Sequence, residues 1–467
     1  MNTNYFQELN ENPMFADVSV YNRTVMTAEQ MPAVVEEAIR QAYAKRGVAV
    51  ITIPKDLGWQ EIEDNYISSA NLYQKPLPLE PDSERIQQAW KILKEAKHPL
   101  IYIGQGTRGA REEVLALSKM LQAPILSSAL AKGIVPDNAP AYMGSAGRVA
   151  SKPGVEIASN TDAVLFLGSD MPFQSFFIPE DAKYIQVDID GTKFGRRHQV
   201  DLAILADAKL TIKKLMEIGE QLPETAWYRA ALADKENWVE WLEKRSLIDS
   251  SPLEVEPVFK AINEMATDDA IFQVDVGNVT IDGMRLLDTS KNQRFTTSGW
   301  YATMGYALPA AIGAKSQYPN RQVWSISGDG AWAMVMPDIL TQVKYHLPII
   351  NVVLTNKSLG FIEAEQDDAK QPHSGIDLIG ANFGASAAAL GAVGFDVNNL
   401  SELKEAFAKA KETDRPVVIN VNIFDHRPLP VEQLKLDSSI YGEETVEAFE
   451  KEYQTQGLIP FSKLIKE

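Results

Sequence analysis

The run Gln322-Val-Trp-Ser-Ile-Ser327, followed at once by Gly328-Asp329-Gly330, decides the fold class. It reads as a buried strand that ends on a tight turn. A helical stretch, Val335 to Tyr345, comes next, and then a second strand, Pro348 to Thr355, with Asn356 directly after it. If the two strands are parallel neighbours, Asp329 and Asn356 both emerge at the carboxyl edge, where open α/β sheets place their ligands. One carboxylate and one amide oxygen suit Mg²⁺, which keeps few protein ligands and takes the rest from phosphates and water. Singly, Gly-Asp-Gly is a common turn and an Asn after a strand is a common loop residue. On consecutive strands, the pair favours a site for a metal and a diphosphate.

Outward from this pair, the same alternation repeats. Strands are expected at Leu100–Ile103, Pro124–Ser128, Ala163–Leu167, Tyr184–Asp188, Ala270–Val276 and Val417–Ile423, with helices from about Ser83 and over 112–120, 258–265 and 307–315. The fold class is therefore α/β: doubly wound parallel sheets with helices on both faces, repeated in consecutive domains. The first 60 residues hold one helix, with Val35, Ile39, Ala42 and Tyr43 on one face, and one strand, Val48–Ile53. Such a unit cannot bury a core alone, so 1–60 is expected to pack on other chain or to be the closing part of a larger domain. Linkers are expected at 61–82, which carries Pro76, Pro78 and Pro81, and at 216–255, rich in charge and in Trp227, Trp238 and Trp241. Between them lies a central domain, 83–215; a second domain, 256–425, and a tail, 426–467, follow.

Composition excludes several functions. With 467 residues, 45% hydrophobic and 23% charged, the chain is an ordinary globular one, long enough for several cores. The 45 Lys and Arg against 63 Asp and Glu leave a net charge of −18, which repels a nucleic-acid backbone or an anionic bilayer. No apolar run approaches the roughly 18 residues needed to span a membrane, and the first residues lack a basic and apolar leader. A cytoplasmic location is expected. There is no Cys, hence no thiolate nucleophile or disulfide framework. The five His residues fall in no metal-ligand spacing, and no Gly-x-Ser-x-Gly elbow supports a hydrolase triad.

Gly104-Gln-Gly106-Thr-Arg-Gly109 follows an expected strand and precedes a helix, where glycines let a backbone approach a diphosphate. It reads equally as a turn that closes a strand onto a helix. A nicotinamide site would want an acid after the next strand, but Ser127-Ser-Ala129 stands there, so NAD is disfavoured. Asp188, ending a later strand, could instead accept from a nucleotide hydroxyl.

Gly328-Asp-Gly330 with Asn356 resembles the thiamine diphosphate-binding motif of the family that includes acetolactate synthases, pyruvate decarboxylases and pyruvate oxidases. Six further segments look like the flavin-containing, phosphate-dependent pyruvate oxidase branch. They are Phe6-Gln-Glu-Leu-Asn-Glu-Asn-Pro13, Ala302-Thr-Met-Gly305, Asn351-Val-Val, Gly360-Phe-Ile362, Arg427-Pro-Leu-Pro430 and Leu434-Lys-Leu-Asp-Ser438. The resemblance covers essentially the whole chain and is most specific in its last 200 or so residues.

The resemblance implies thiamine diphosphate, Mg²⁺ and FAD as cofactors, and oxidative decarboxylation of pyruvate with phosphate and O₂ to acetyl phosphate, CO₂ and hydrogen peroxide. Asp329, Asn356 and the main-chain carbonyl of Ser358 would hold the metal, although Lys357 replaces the usual second Asn of the motif. Gly328, Gly330 and Ala331 would line the diphosphate, and Met304 would wedge beneath the thiamine rings. Val276, Phe361 and Glu365 would line the substrate pocket, Glu365 orienting substrate or moving a proton; without the resemblance, Glu365 reads as a solvated acid. Phe6 and Gln7 would reach a neighbouring subunit's site. FAD would contact Gly104, Gly106, Arg148, Ser169, Asp188 and Asp207.

A homodimer or homotetramer is implied, with no nucleic-acid or membrane partner. Members of the family begin with a full pyrimidine-binding domain bearing an activating glutamate, and the resemblance enters near the end of that domain. The chain alone is thus expected to be strongly impaired, from a shortened or split gene. An acetolactate synthase-type carboligase and a non-catalytic cofactor-binding remnant are the alternatives.

Overall fold

The computed structural model describes residues 3–64, 66, 68, 77–170, 178–425, 428, 442–444, 446–448, 451 and 456–465. Pro76, Arg427, Leu429, Pro430 and 434–438, used above, lie outside the described residues. The chain divides into two compact units, Met1–Leu77 and Pro78–Glu467.

In the first unit, strand β1 (Tyr21–Thr24), helix α1 (Met31–Lys45) and strand β2 (Ala49–Thr52) form a single βαβ turn, with β1 and β2 paired in parallel. The sequence reading found α1 and β2 and missed β1, whose Tyr21-Asn-Arg-Thr24 carries no apolar run. Ile39 and Tyr43, expected on a buried face, are exposed, and among the described residues of this unit the buried apolar ones are Val25, Ala28 and Ala38.

The second unit opens with the central domain: α2 (Ser83–Glu95), β3 (Pro99–Ile103), α3 (Arg111–Leu121), β4 (Ile125–Ser127), β5 (Tyr142–Ser145), α4 (Lys152–Asn160), β6 (Ala163–Leu167), β7 (Lys183–Asp188), β8 (Leu202–Leu205) and α5 (Ala208–Ile218). Asp82 caps α2, its carboxylate accepting from Arg85 N, and Asp207 caps α5 by accepting from Leu210 N. The strands pair in the order β5-β4-β3-β6-β7-β8, all parallel. Successive residues of each strand face opposite sides of the sheet. Ile101, Ile103, Leu165 and Leu167 join α2, α3 and α5 in one core, while Leu100, Tyr102, Val164 and Phe166 face α4 in another. Apolar residues on both faces make each strand a continuous hydrophobic run, and only helices on both sides can cover it.

The expected linker at 216–255 is largely helical. α6 (Ala226–Arg245) begins at Thr225, whose hydroxyl accepts from Tyr228 N. Its tryptophans read as linker aromatics but are core. Trp227 stacks on His98, donates Nε1–H to Pro99 O at 3.0 Å and meets the edge of Phe461. Trp238 and Trp241 stack on each other over Leu458.

The last domain comprises α7 (Val255–Met265), β9 (Ile271–Val274), α8 (Asn278–Leu286), β10 (Arg294–Thr296), α9 (Ala307–Gln317), β11 (Val323–Gly328), α10 (Asp329–Val335), α11 (Ile339–Lys344), β12 (Ile350–Thr355), α12 (Gly360–Asp368), α13 (Phe383–Ala389), β13 (Val393–Val397), α14 (Leu400–Glu412) and β14 (Val417–Asn422). Its sheet runs β10-β9-β11-β12-β14-β13, again all parallel. β11 and β12 are neighbours, with Gly328 opposite Leu354. The two α/β domains are pinned together by Asp137, which accepts from Thr289 N and Oγ1 at 2.7 and 2.6 Å and binds Lys132 Nζ. Arg285 Nε adds a bond to Ala150 O at 2.9 Å. Among the described residues, no helix is long and apolar enough to cross a membrane.

A buried ion cluster fastens α6 to the central domain. Lys152 is fully buried on α4 and binds both Asp234 of α6 and Glu156, the latter at 2.6 Å. Glu156 also accepts from Phe461 N. Two carboxylates share one ammonium, and burial pushes the Asp234 carboxyl up to about 8, with Glu156 adding repulsion and Lys152 opposing. An acid raised in the folded state stabilises fully below its unfolded value near 3.8 and loses that contribution as pH rises through about 8. The unfolding midpoint of the native chain should therefore fall across that window, and Asp234→Asn should flatten the fall. Lys152→Met should destabilise by about 3–5 kcal/mol, because it leaves buried carboxylate without its cation; denaturant unfolding at several pH values checks both.

Candidate active site

The carboxyl ends of β9, β11, β12 and β14 converge on one cleft, which faces the switch point of the central sheet. Its volume is about 780 Å³. Of the residues singled out in the sequence, Val276, Met304, Gly328, Asp329, Gly330 and Ala331 line it from β9, the loop before α9 and β11. Asn356, Ser358, Phe361 and Glu365 line it from β12 and α12, and Arg148 and Ser169 from the central domain.

Asp329 is buried at the end of β11, and its orientation is set by main chain. Oδ1 accepts from Gly330 N and Oδ2 from Lys357 N, both at 2.9 Å. Burial pushes this carboxyl above its ordinary value against those N–H groups, and nearby Asp425 adds to the rise. Asn356 donates Nδ2–H to Asp425 Oδ1 at 2.9 Å, which leaves Oδ1 as the end that faces other donors, here Ser358 N at 3.3 Å. Lys357 takes a left-handed φ of 64° and contributes its main-chain N–H, so the missing second Asn leaves this arrangement intact. A buried carboxylate, an amide oxygen and a second carboxylate close by are hard oxygen donors of the kind Mg²⁺ accepts. A Cβ on Gly330 would lie 2.9 Å from Leu359 Cδ2 and 3.4 Å from Met304 Cε. Glycine there keeps the groove floor low between the Asp329 turn and Met304. These residues fit a metal–diphosphate group.

Asp275 was missed in the sequence. It ends β9 without a motif to mark it, yet it is fully buried and its carboxylate accepts five hydrogen bonds. Oδ1 takes Val276 N, Gly305 N and Tyr306 N at 2.9, 2.9 and 3.2 Å; Oδ2 takes Ala307 N and Ser327 Oγ, each at 3.1 Å. It thereby ties the loop bearing Met304 to the strands on either side.

On the central side, the order β5-β4-β3-β6-β7-β8 places its switch point between β3 and β6, the crevice where such sheets bind ligands. Gly104 and Gly106 do not line the cleft. A Cβ on Gly104 would lie 2.2 Å from Gly168 O, and one on Gly106 2.7 Å from Gly168 Cα. The turn reading accounts for them: they let the β3 and β6 loops interlock, Gly106 N donating to Gly168 O at 3.1 Å. Above them Gln105, Gly168, Ser169, Asp170, Lys193 and Arg196 line the cleft. Asp188 is buried beside it, accepting from Asp190 N at 2.9 Å and 3.7 Å from Lys193 Nζ. Asp207 lines no part of the cleft and serves as the α5 cap. Phe6 and Gln7 lie in the first unit, Phe6 exposed and Gln7 at a φ of 64°.

Lys193 and Arg196, like Asp170, went unnoticed in the sequence. The signal was present: Lys193-Phe-Gly-Arg-Arg197 is a basic run in a chain of net charge −18. Asp170 Oδ1 is buried without a hydrogen bond, 3.8 Å from Arg197 Nε, and Oδ2 lies 3.5 Å from Arg196 Nη1. Across the cleft, Arg148 Nη1 meets Glu365 Oε1 at 2.8 Å, joining the two domains. Both side chains are about half exposed (47% and 48%), so the pair is weak and open to exchange with a ligand. The cations suit an anionic nucleotide between the domains.

Comparison with known proteins agrees with this geometry. Residues 275–421 match the family model of the thiamine pyrophosphate enzyme C-terminal TPP binding domain, and 86–215 match the thiamine pyrophosphate enzyme central domain. A pyruvate oxidase of Lactiplantibacillus plantarum is 43% identical over all of this chain and 78% of its own length. A putative thiamine pyrophosphate-containing protein of Bacillus subtilis is 37% identical over 91% of this chain and 74% of its own. The acetolactate synthase large subunit of Corynebacterium glutamicum is more distant, 28% identical over 90% and 70%. Asp329 and Asn356 on adjacent parallel strands, the Met304 loop beside them and these matches together place the chain in the thiamine pyrophosphate-dependent enzyme family.

Proposed function

We propose that the cleft binds thiamine diphosphate with Mg²⁺ at the Asp329–Asn356 end and FAD at the central-domain end, and that it decarboxylates pyruvate oxidatively. The products of this reading are acetyl phosphate, CO₂ and hydrogen peroxide, with phosphate and O₂ as co-substrates. The observation that carries it is the meeting, in one cavity, of the Asp329–Asn356 pair and the Met304 loop with a cationic wall on the central sheet.

When bound, thiamine diphosphate supplies the electron sink for loss of CO₂, and FAD the two-electron acceptor. The chain supplies position and electrostatics. Asp329, Asn356 and the Ser358 carbonyl would hold the metal, and Gly328, Gly330 and Ala331 would admit the diphosphate. Met304 would support the rings. Arg148, Lys193 and Arg196 offer charge-assisted hydrogen bonds to the nucleotide phosphates or to a substrate oxyanion. Val276 and Phe361 exclude water around the keto acid. Glu365, once an anion occupies Arg148, is free to accept or return a proton. Assembly as a homodimer or homotetramer in the cytoplasm, with Phe6 and Gln7 reaching a neighbouring copy, belongs to the same reading.

Two outcomes test it. Asp329→Ala should weaken Mg²⁺-dependent thiamine diphosphate binding by more than about 100-fold, since even outer-shell changes cost about 10–100-fold; isothermal titration reads this without turnover. Glu365→Gln should lower turnover by about 10²–10⁴-fold with cofactor binding unchanged. Acetyl phosphate with peroxide supports the oxidase, whereas acetolactate without peroxide would identify a carboligase. Binding of both cofactors with neither product would identify a non-catalytic binding protein.

A further inference from the structure

We propose that Asp275 is a positioning residue for the ring-bearing half of the cofactor: it fixes the turn after Met304, while the diphosphate end is held independently of it. The inference rests on the cofactor assignment above. Three of its five donors are the consecutive N–H groups of Gly305, Tyr306 and Ala307, which directly follow Met304 and open α9. N–H groups at a helix start have no partner within the helix, and a carboxylate there satisfies them and is favoured by the helix dipole. Gly305 sits at a φ of +81°, a conformation that an L side chain resists, and a Cβ on it would lie 2.9 Å from Val335 Cγ1. The turn is thus clamped on two sides, by the carboxylate within and by Val335 without. Met304 has no comparable freedom of its own, because its backbone is carried on this turn.

The diphosphate end has other anchors. Asp329 is oriented by Gly330 N and Lys357 N, and Asn356 by Asp425. The single link from Asp275 towards it is the Ser327 hydroxyl. Asp275→Asn keeps the size of the side chain but puts an N–H₂ against N–H and O–H donors. The expected result is a shifted Met304 turn above an undisturbed Asp329.

Inorganic pyrophosphate, which lacks the rings, separates the two ends. Titration of the full 467-residue chain with Mg²⁺ and either thiamine diphosphate or pyrophosphate reads the split, with circular dichroism and cooperative unfolding as checks on folding. Asp275→Asn should weaken thiamine diphosphate by about 10-fold or more and pyrophosphate by less than about twofold. Gly305→Ala, which displaces the same turn from its outer side, should show the same selective loss and decides the matter if Asp275→Asn does not fold. Equal loss of both ligands in the folded variants, or loss of neither, overturns the proposal. If the native chain itself fails to bind thiamine diphosphate, the cofactor assignment falls, and the inference with it; native binding with unchanged variants sinks the inference alone.

Discussion

A carboxylate taken out of water must be met by donors, and Asp275 is met by five. That requirement organises the cleft. To satisfy it, the end of β9, the start of α9 and the last turn of β11 have to converge within hydrogen-bond reach of one another. The convergence brings Val276, Met304 and the Gly328-Asp329-Gly330 turn to one rim. An unpaired charge in this position would cost several kcal/mol, so the Met304 turn is held against the end of β9, while Asp329 keeps its own main-chain donors.

Around that anchor the molecule distributes charge unevenly. The chain is acidic as a whole, yet Arg148, Lys193, Arg196 and Arg197 gather at the mouth of the cleft. Low-dielectric walls concentrate the field of such a cluster. All four already lie within 4 Å of an acid: Arg148 of Glu365, Lys193 of Asp188, and Arg196 and Arg197 of Asp170. The Arg148–Glu365 pair, half-exposed on both sides, is worth little in isolation, which leaves Arg148 available to an anion. The deeply buried pair of Lys152 and Asp234 is the opposite case: it fastens α6 in place and has no route to exchange.

Much of the fold was legible because strand runs in parallel sheets are apolar on both faces. Ala163–Leu167, Val417–Ile423 and Leu100–Ile103 announce themselves by composition alone. What escaped were short or mixed strands, such as Tyr21–Thr24 and Tyr142–Ser145, which carry too few apolar residues to make a run. The tryptophans of α6 misled for a related reason. Aromatic residues scattered among charges look like a solvated connector until the helix turns Trp227, Trp238 and Trp241 inward.

The sequence by itself determined the chemistry at hand: which strands are buried, that Asp329 and Asn356 each end one, and that the motif belongs to a thiamine diphosphate site. Those features are local, encoded in runs of a few residues. The tertiary structure alone decided which residues share the cleft. Gly104 and Gly106 proved to be the seat of a backbone contact with Gly168, Asp207 a helix cap, and Asp275 the hub of the Met304 turn. Residues far apart in sequence, such as Arg148 and Glu365, meet only because two parallel sheets present their carboxyl edges to the same space. Hydrogen-bond partners chosen across such distances leave no periodicity in the chain, and so they could not be read from it.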